Sequence, residues 1–361
     1  MSERTNAAAT ADAQTVAQAS AQGTVRDSAQ TSAPVSAPAQ AAQGGEPGQL
    51  PCNFDATRTF QWHHKTVVAG VEWKNPVGTA SGTFNFDAVR WFYDVSQMGA
   101  VTTKGVSPVP WEGNPVPRTA ETPAGSVNSV GLQNPGIDDY LVNDLPRIKA
   151  TGATVITNVA GHSDDDYAQV VTKLADHESD MLEINVSCPN VSADGLSTGT
   201  DPVALKRLIK RLRPLTDKPM IVKLTPNVTD IRPIAEACIE GGADALSMIN
   251  TFVGMRFDIR TGKPILANIT GGVSGPCVHP MALAFVYKTR QAFPEIPIIG
   301  IGGISTGEDA LEFLYAGANA VEVGSAALAD PVAPLRIATE LDALLDKRPE
   351  LAQALEEGRT W

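Results

Sequence analysis

The sequence contains few cysteines and no closely spaced cysteine pair. Cys52, Cys188, Cys238 and Cys277 are far apart, and none belongs to a CxxC motif. Iron–sulfur clusters and structural zinc sites usually need such pairs, so we expect this chain to hold no metal of its own. In a chain of 361 residues, an even number of cysteines does not indicate a disulfide framework.

Long apolar runs and an excess of basic residues are also missing. No stretch approaches the ~18 consecutive apolar residues that a membrane span needs. No basic start is followed by an apolar run, so we expect no secretory signal and a cytoplasmic location. The formal net charge of −12 argues against a nucleic-acid-binding protein, which usually has a basic face.

Residues 1–50 contain almost no large apolar side chains and are rich in Ala, Gln, Ser, Thr and Pro. Such a segment cannot bury enough surface to offset the entropy lost on ordering, which predicts a disordered, low-complexity tail. A helical docking arm is the alternative, because Ala and Gln tolerate helix. Residues 51–361 then form the predicted folded domain.

Helices and strands alternate through this domain, after a short hairpin-like segment at 66–73. Strands are predicted to end near Ala80, Lys104, Ala160, Ser187, Leu224, Asn250, Gly302 and Ser325. Helices are predicted over 86–98, 137–149, 164–176, 202–213, 229–240, 280–292, 307–316 and 332–346. Eight strand–helix units in a little over 300 residues predict an α/β fold, the (β/α)8 TIM barrel. An open doubly wound sheet is the alternative, but no glycine-rich dinucleotide fingerprint follows the first strand.

Several helix ends carry local signals. Asp201 and Pro202 form a good N-cap and first-turn pair. Ser305 and Glu308 fit a capping box, and Gly317 is a typical residue to end that helix.

Cys238 belongs to a helical apolar pattern. Ile231, Ile234, Ala235 and Cys238 recur at i, i+3, i+4 and i+7. This spacing predicts a buried core thiol and not a reactive one.

The predicted strand ends are unusually polar. In a barrel the active site lies at the C-terminal ends of the strands. The residues found there are Ser81, Lys104, Asn158, Asn185, Cys188, Asn190, Lys223, Asn250, Thr251, Gly302, Gly303, Gly324 and Ser325. Lys223 lies within an apolar run, where a buried amine is costly unless it meets an anion or an acceptor.

The last two strands end in small residues, at Gly302–Gly303 and Gly324–Ser325. Loops after strands seven and eight commonly hold a phosphate in this fold. Glycine lets backbone N–H groups approach phosphate oxygens, so these turns predict a phosphate site, with tight turns and no ligand as the alternative.

The segment LEINVSCPN at 182–190 combines an alternating apolar strand with a cluster of reactive groups. Pro189 cannot continue a central strand, so the strand must stop there. A thiol between two amides at a strand end predicts a functional site.

Together these motifs resemble class 1 dihydroorotate dehydrogenase, from about Trp62 to the end of the chain. The matching motifs are NPVGTASG (75–82), NSVGLQN (128–134), NVSCPN (185–190), VKL (222–224), INT (249–251), GGVSG (271–275) and GIGG (300–303). NTFVGMRFD (250–258) and KPILAN (263–268) resemble the class 1B branch. In that branch the catalytic subunit pairs with a second subunit that carries FAD and a [2Fe-2S] cluster, and NAD is the acceptor.

The resemblance implies one FMN per chain and a set of roles. It implies that FMN meets Ser81, Lys104, Gly105, Asn158, Asn185, Lys223, Ile249 and Gly275, with its phosphate at Gly302, Gly303, Gly324 and Ser325. It implies that orotate is held by Lys104, Asn128, Ser129, Val130, Gly131, Leu132, Asn185, Asn190, Asn250 and Thr251. It further implies a homodimer of this chain within a heterotetramer of two copies of each subunit.

The implied reaction takes a proton from C5 of dihydroorotate and a hydride from C6. The resemblance makes Cys188 the base, on the substrate face opposite the flavin. A free thiol has a pKa of about 8.5, and Lys104 or Lys223 could favour the thiolate. Asparagine suits the ring edge of orotate because its side chain both donates and accepts. We expect the segment at 189–200 to close over the substrate.

Three other functions remain open at this point. A class 1A homodimer would use fumarate instead of a partner subunit. A flavin-free aldolase or isomerase would use Lys223 as a Schiff-base nucleophile. A binding protein without catalysis is the weakest option, given so many polar strand ends.

Overall fold

A computed structural model of the chain describes residues 54–186 and 198–359. Its centre is a closed barrel of eight parallel strands, as the alternation of helices and strands predicts. The barrel strands are β1 (Val77–Thr79), β2 (Ala100–Thr102), β3 (Val155–Val159), β4 (Met181–Asn185), β5 (Met220–Lys223), β6 (Ala245–Met248), β7 (Ile298–Ile301) and β8 (Ala320–Val323).

Each barrel strand pairs in parallel with the next along the chain, and β8 pairs with β1. Closure leaves no sheet edge, which excludes the open doubly wound alternative. The register places Asn185 of β4 beside Lys223 of β5. All eight strands end within two residues of their predicted ends. Both faces of β4 are buried, so its alternation does not mark a solvent-facing side as it would in a half-buried strand.

The longer helices surround the barrel. They are Asp164–Ala175, Pro202–Leu212, Arg232–Gly241, His279–Ala292, Gly307–Tyr315, Ala333–Leu345 and Pro349–Glu356. Shorter α-helical segments are Phe86–Val89, Ile137–Asp139, Leu145–Lys149 and Ala326–Ala329, with a π-helical stretch at Tyr140–Asp144. Short 3-10 turns lie at Val95–Gln97, Thr198–Thr200, Arg213–Leu215 and Pro276–Val278.

The prediction of one helix over 86–98 is wrong. The α-helix ends at Val89, and a separate 3-10 turn follows at Val95–Gln97. Asp94 breaks the run because its backbone is extended and its side chain accepts from the N–H of Ser96. A short polar side chain thus caps a new turn where the apolar pattern indicated a continuing helix.

The predicted capping box lies one residue too early. Thr306, not Ser305, begins the helix, and its hydroxyl accepts from the N–H of Asp309 at 3.1 Å. The Asp309 carboxylate in turn accepts from the N–H of Thr306 at 2.9 Å. Asp309, at the third helical position, therefore completes the capping box in place of the predicted Glu308. The helix ends at Tyr315, two residues before Gly317, which has a φ of +102°.

The Asp201 cap is confirmed, because this side chain accepts from the N–H groups of Val203 and Ala204. Cys238 is fully buried in the helix Arg232–Gly241, as the apolar spacing predicts. Burial raises the pKa of this thiol strongly, so it stays a neutral core group.

A hairpin closes the end of the barrel at which the strands begin, called the lower end here; the upper mouth is the end at which they finish. Thr66–Val68 and Val71–Trp73 pair antiparallel, as the 66–73 pattern predicts. Trp73 is fully buried and packs with side chains near the strand starts, including Met181 and Ile221. The core at this end is therefore apolar and filled, whereas the opposite end is where this fold places its active site.

The upper mouth carries a four-stranded antiparallel sheet that the strand pattern did not predict. Its strands, in spatial order, are Phe252–Met255, Thr270–Ser274, Gly125–Asn128 and Thr119–Thr122. A small hairpin of Phe257–Asp258 and Lys263–Pro264 lies beside it in sequence. These strands belong to the loops after β2 and β6, so both insertions extend the wall above the barrel. Within 54–186 and 198–359, no helix is both long and apolar enough to cross a membrane.

Candidate active site

A cavity of about 580 Å³ opens at the C-terminal mouth of the barrel. Most of the described residues predicted for the site line it. These are Ser81, Lys104, Asn128, Val130, Gly131, Leu132, Asn185, Lys223, Ile249, Asn250, Thr251, Gly275, Gly302, Gly303, Gly324 and Ser325. Residues that are spread over 245 positions of the sequence therefore meet at one mouth. Cys188 and Asn190 lie outside the described residues, as do the tail at 1–50 and most of the expected lid.

Of the predicted site residues that the structure describes, three do not line the cavity: Gly105, Ser129 and Asn158. The Ser129 hydroxyl accepts a hydrogen bond from Asn114 at 2.8 Å, which fixes the loop that carries Gly131 and Leu132. Gly105 packs against Asn158, since a Cβ at Gly105 would lie 2.6 Å from the Asn158 side-chain oxygen.

The strand-end argument missed part of the wall, because it considered the barrel strands alone, and Asn128 of the mouth sheet was assigned only through the family resemblance. The mouth sheet adds Thr119, Ala120, Glu121, Ser126, Gly272, Val273 and Ser274 to the lining, and other segments add Ala80, Gly82, Thr83, Val278, Ile301 and Leu328. The GGVSG motif lies partly on this sheet, so its small residues were the available signal. A Cβ at Gly272 would lie 2.0 Å from the Thr251 hydroxyl oxygen, so only glycine fits there.

Two glycines form an open backbone turn after β7. Gly302 and Gly303 have φ values of +142° and +69°, which L side chains rarely adopt. A Cβ at Gly303 would lie 2.7 Å from the carbonyl oxygen of Gly275 and 2.8 Å from the Cβ of His279. Bare backbone therefore borders the cavity beside Gly324 and Ser325, an arrangement that suits a phosphate.

Three amide side chains line the cavity, from the end of β4 (Asn185), the loop after β6 (Asn250) and the mouth sheet (Asn128). Asn250 donates to the side-chain oxygen of Asn185 at 3.4 Å, and Asn128 donates to the carbonyl of Gly272 at 3.3 Å. The Asn250 oxygen accepts from the N–H of Thr251 at 2.8 Å. These contacts fix side chains that can both donate to and accept from a planar polar ligand.

Lys223 meets an anion inside the barrel, as its position in an apolar run predicts. Its Nζ lies 3.4 Å from Oε1 of Glu183 and 3.4 Å from Oγ of Ser81. The lysine side chain is only 6% exposed, and the Glu183 side chain is fully buried. The contacts place an ammonium group at the floor of the cavity.

Glu183 and Glu322 are buried carboxyl groups that sequence reasoning did not assign to the site. Each stands in the middle of an apolar strand, so the argument applied to Lys223 would have found both. Thr102 donates to Glu322 and Ser247 donates to Glu183, so four side chains from the even-numbered strands β2, β4, β6 and β8 form a buried polar cluster. Alternate strands of a barrel contribute side chains to one interior layer, which brings these four together.

The family model for dihydroorotate dehydrogenase matches residues 63–345. This chain belongs to that family. Membership implies that the catalytic chain binds a flavin, FMN.

This chain matches its curated relatives over nearly the whole of their length. A protein of Alkaliphilus metalliredigens named dihydroorotate dehydrogenase B (NAD(+)), catalytic subunit, is 52% identical over 274 residues, which cover 76% of this chain and 90% of that protein. Proteins of the same name from Citrifermentans bemidjiense and Listeria innocua are 47% and 45% identical, over 80% and 78% of this chain and 95% and 92% of theirs.

Proposed function

We propose that this chain is the FMN-bearing catalytic subunit of a class 1B dihydroorotate dehydrogenase. It oxidises (S)-dihydroorotate to orotate in pyrimidine biosynthesis, and electrons pass to NAD through a partner subunit with FAD and a [2Fe-2S] cluster. The observation that carries this proposal is one cavity that joins a glycine turn, a buried lysine and a row of amides. The relatives named as NAD(+) catalytic subunits favour class 1B over a fumarate-using class 1A enzyme.

The residues present fit FMN. The turn at Gly302 and Gly303 offers backbone N–H groups where a side chain would clash, so it suits the phosphate. Lys223 brings a positive charge to the cavity floor, where it would stabilise negative charge on a reduced flavin. When bound, FMN supplies the hydride acceptor for the reaction.

The amide row fits the substrate ring. Asn128, Asn185 and Asn250 present donors and acceptors to an edge that itself carries amide N–H and C=O groups. Lys104 and the backbone at Gly131 and Leu132 complete the set, and we assign them to the substrate carboxylate.

We assign the base to Cys188. It follows Asn185 by three residues in the chain, so the strand that positions the amide also leads to the thiol. Its thiolate takes the C5 proton as the hydride leaves C6, and Asn190 adds a further donor to the substrate. The segment at 189–200 would close over the substrate and keep water from the base.

We also propose that the folded FMN-binding domain spans residues 51–361. Two copies of it would form a homodimer, and each would pair with one electron-transfer subunit. Co-expression with a candidate partner flavoprotein, followed by measurement of mass and cofactor content, tests this arrangement.

The test of the activity starts with colour. The purified chain should be yellow and release FMN on denaturation, and anaerobic dihydroorotate should bleach it. NAD reduction should require the partner subunit, whereas efficient fumarate reduction by the chain alone would indicate class 1A. Borohydride trapping of a substrate on Lys223, in a protein without flavin, would support the aldolase alternative instead. The ion pair with Glu183 argues against that role, because a Schiff-base nucleophile must be a neutral amine.

A further inference from the structure

Two carboxyl groups share one ammonium group inside the barrel. Lys223 Nζ lies 3.4 Å from Oε1 of Glu183 and 4.0 Å from Oε2 of Glu322. Both glutamate side chains are fully buried, and that of the lysine is 6% exposed. Two ionised carboxylates with one ammonium would leave a net negative charge in a buried site, which is costly.

The two carboxyl groups have unequal surroundings. Glu183 accepts from the Asn158 amide at 2.5 Å and from the Ser247 hydroxyl at 2.7 Å, in addition to Lys223. Among residues 54–186 and 198–359, Glu322 accepts a hydrogen bond only from Thr102, at 2.6 Å through Oε1. Its Oε2 is buried and has no hydrogen-bond partner in this part of the chain. Donors stabilise an ionised carboxylate, so the negative charge belongs on Glu183 and the proton on Glu322.

The electrostatics of the site agree with this assignment. Burial and the neighbouring Glu183 carboxylate raise the pKa of Glu322 to about 8, although Lys223 and Thr102 oppose the shift. Two buried carboxyl groups beside one ammonium group cannot both be ionised without a large electrostatic cost.

We propose that Glu183 and Glu322 are alternate counter-ions of Lys223, which carry one negative charge between them and so keep the ammonium at the cavity floor. If the charge on Glu183 is removed, Glu322 releases its proton to solvent and replaces it. Both act as positioning residues through Lys223. The consequence for FMN rests on the proposed function, whereas the sharing of the proton does not.

Infrared spectroscopy of the full chain tests the sharing without any need for FMN. The wild type should show the C=O band of a buried, protonated carboxyl group at neutral pH, and Glu322→Gln should lose it. Glu183→Gln should lose it too, because Glu322 then ionises. A band that persists unchanged in Glu183→Gln would overturn the proposal, as would its absence from the wild type.

The FMN-loaded protein tests the consequence. Sulfite adds to oxidised flavin more tightly when a positive charge lies near the ring, so its dissociation constant reports on Lys223. The sulfite dissociation constant of each single variant should stay within about threefold of the wild-type value. Glu183→Gln/Glu322→Gln should bind sulfite about tenfold or more weakly, because a buried amine without any counter-ion favours its neutral form and the positive charge is lost.

The results separate the two proposals. If either single variant bound sulfite as weakly as the double variant, the proposal of alternate counter-ions would be wrong. It would also be wrong if the double variant bound sulfite as tightly as the wild type. A chain that binds no FMN but shows the expected infrared pattern would overturn the proposed function alone. Should the double variant fail to fold, the spectra of the two single variants still decide the question.

Discussion

The hydroxyl of Tyr167 donates to the backbone carbonyl of Asn185 at 2.8 Å. Tyr167 lies on the helix Asp164–Ala175 and is buried, so this bond ties a surrounding helix to the end of β4. Asn185 lines the cavity, and Cys188 follows three residues later. The contact therefore fixes the backbone at Asn185, which carries one amide of the proposed substrate site and leads to the proposed base Cys188.

Tyr167→Phe should loosen this strand end. Removing one partner of a buried hydrogen bond costs about 1–3 kcal/mol of unfolding free energy. We expect kcat for dihydroorotate to fall about three- to tenfold, because the reacting groups are less well aligned. Urea denaturation and steady-state kinetics measure the two effects.

Tyr287→Phe is the matched control, since Tyr287 is 54% exposed on the helix His279–Ala292. It should leave stability and kcat unchanged. If Tyr167→Phe behaved in the same way, the helix contact would not hold Asn185 in place.

Cys188→Ala should slow flavin reduction by dihydroorotate while FMN stays bound. The loss should be about 10²–10⁴-fold, the usual contribution of a positioned base. Anaerobic stopped-flow measurement of flavin bleaching separates this step from electron transfer to the acceptor. Cys188→Ser should also be slow, because a hydroxyl is much harder to ionise than a thiol.

Cys277→Ser is the control for that experiment, because Cys277 is an exposed free thiol close in sequence to the lining residue Gly275. It should reduce flavin at the wild-type rate. Full activity of Cys188→Ala would remove Cys188 from the mechanism and leave the base to be found elsewhere.

The barrel could be predicted from sequence because each strand–helix unit repeats the same apolar pattern and polar ending. The site could be predicted as far as it depends on strand ends such as Asn185, Lys223 and Asn250. The mouth sheet could not, since Gly125–Asn128 and Thr270–Ser274 are far apart in sequence and pair only across the folded barrel. Non-local pairing of short, glycine-rich strands leaves little periodic signal.

Glu183 and Glu322 show a different limit. Alternation along a strand normally separates a buried face from a solvent-facing one, and a glutamate is then assigned to solvent. In a closed barrel one face meets helices and the other meets the barrel interior, so both are buried. Polar residues within such strands thus point to a functional interior, as Lys223 also shows.

Gly303→Ala should weaken FMN binding by about tenfold or more, because a Cβ of this size has no room in the phosphate turn. The new carbon would lie 2.7 Å from the Gly275 carbonyl oxygen, so the turn must shift. Gly262→Ala is a close control, since its φ of +66° is nearly that of Gly303 at +69° but no atom lies within 4 Å. Both variants bear the backbone strain, and only Gly303→Ala should lose FMN. Fluorescence titration of the apoprotein with FMN measures the difference, and equal affinities would place the phosphate elsewhere.

Glu322 should make stability depend on pH. Its pKa is about 8 in the folded protein and near 4.5 as an ordinary glutamate, so between these values the folded chain holds a proton that the unfolded chain has released. Unfolding then releases a proton, and rising pH favours it. Relative to Glu322→Gln, which cannot titrate, the wild type should lose at least ~1.4 kcal/mol of unfolding free energy between about pH 5 and about pH 8, equivalent to one pKa unit. Below that range Glu322 is protonated in both the folded and the unfolded state, and the difference in stability levels off.

Urea denaturation across this pH range measures the loss of stability, with Glu308→Gln as the control because Glu308 is exposed. Parallel curves for wild type and Glu322→Gln would mean that Glu322 is ionised in the folded protein, and the proton would then have to be sought on Glu183.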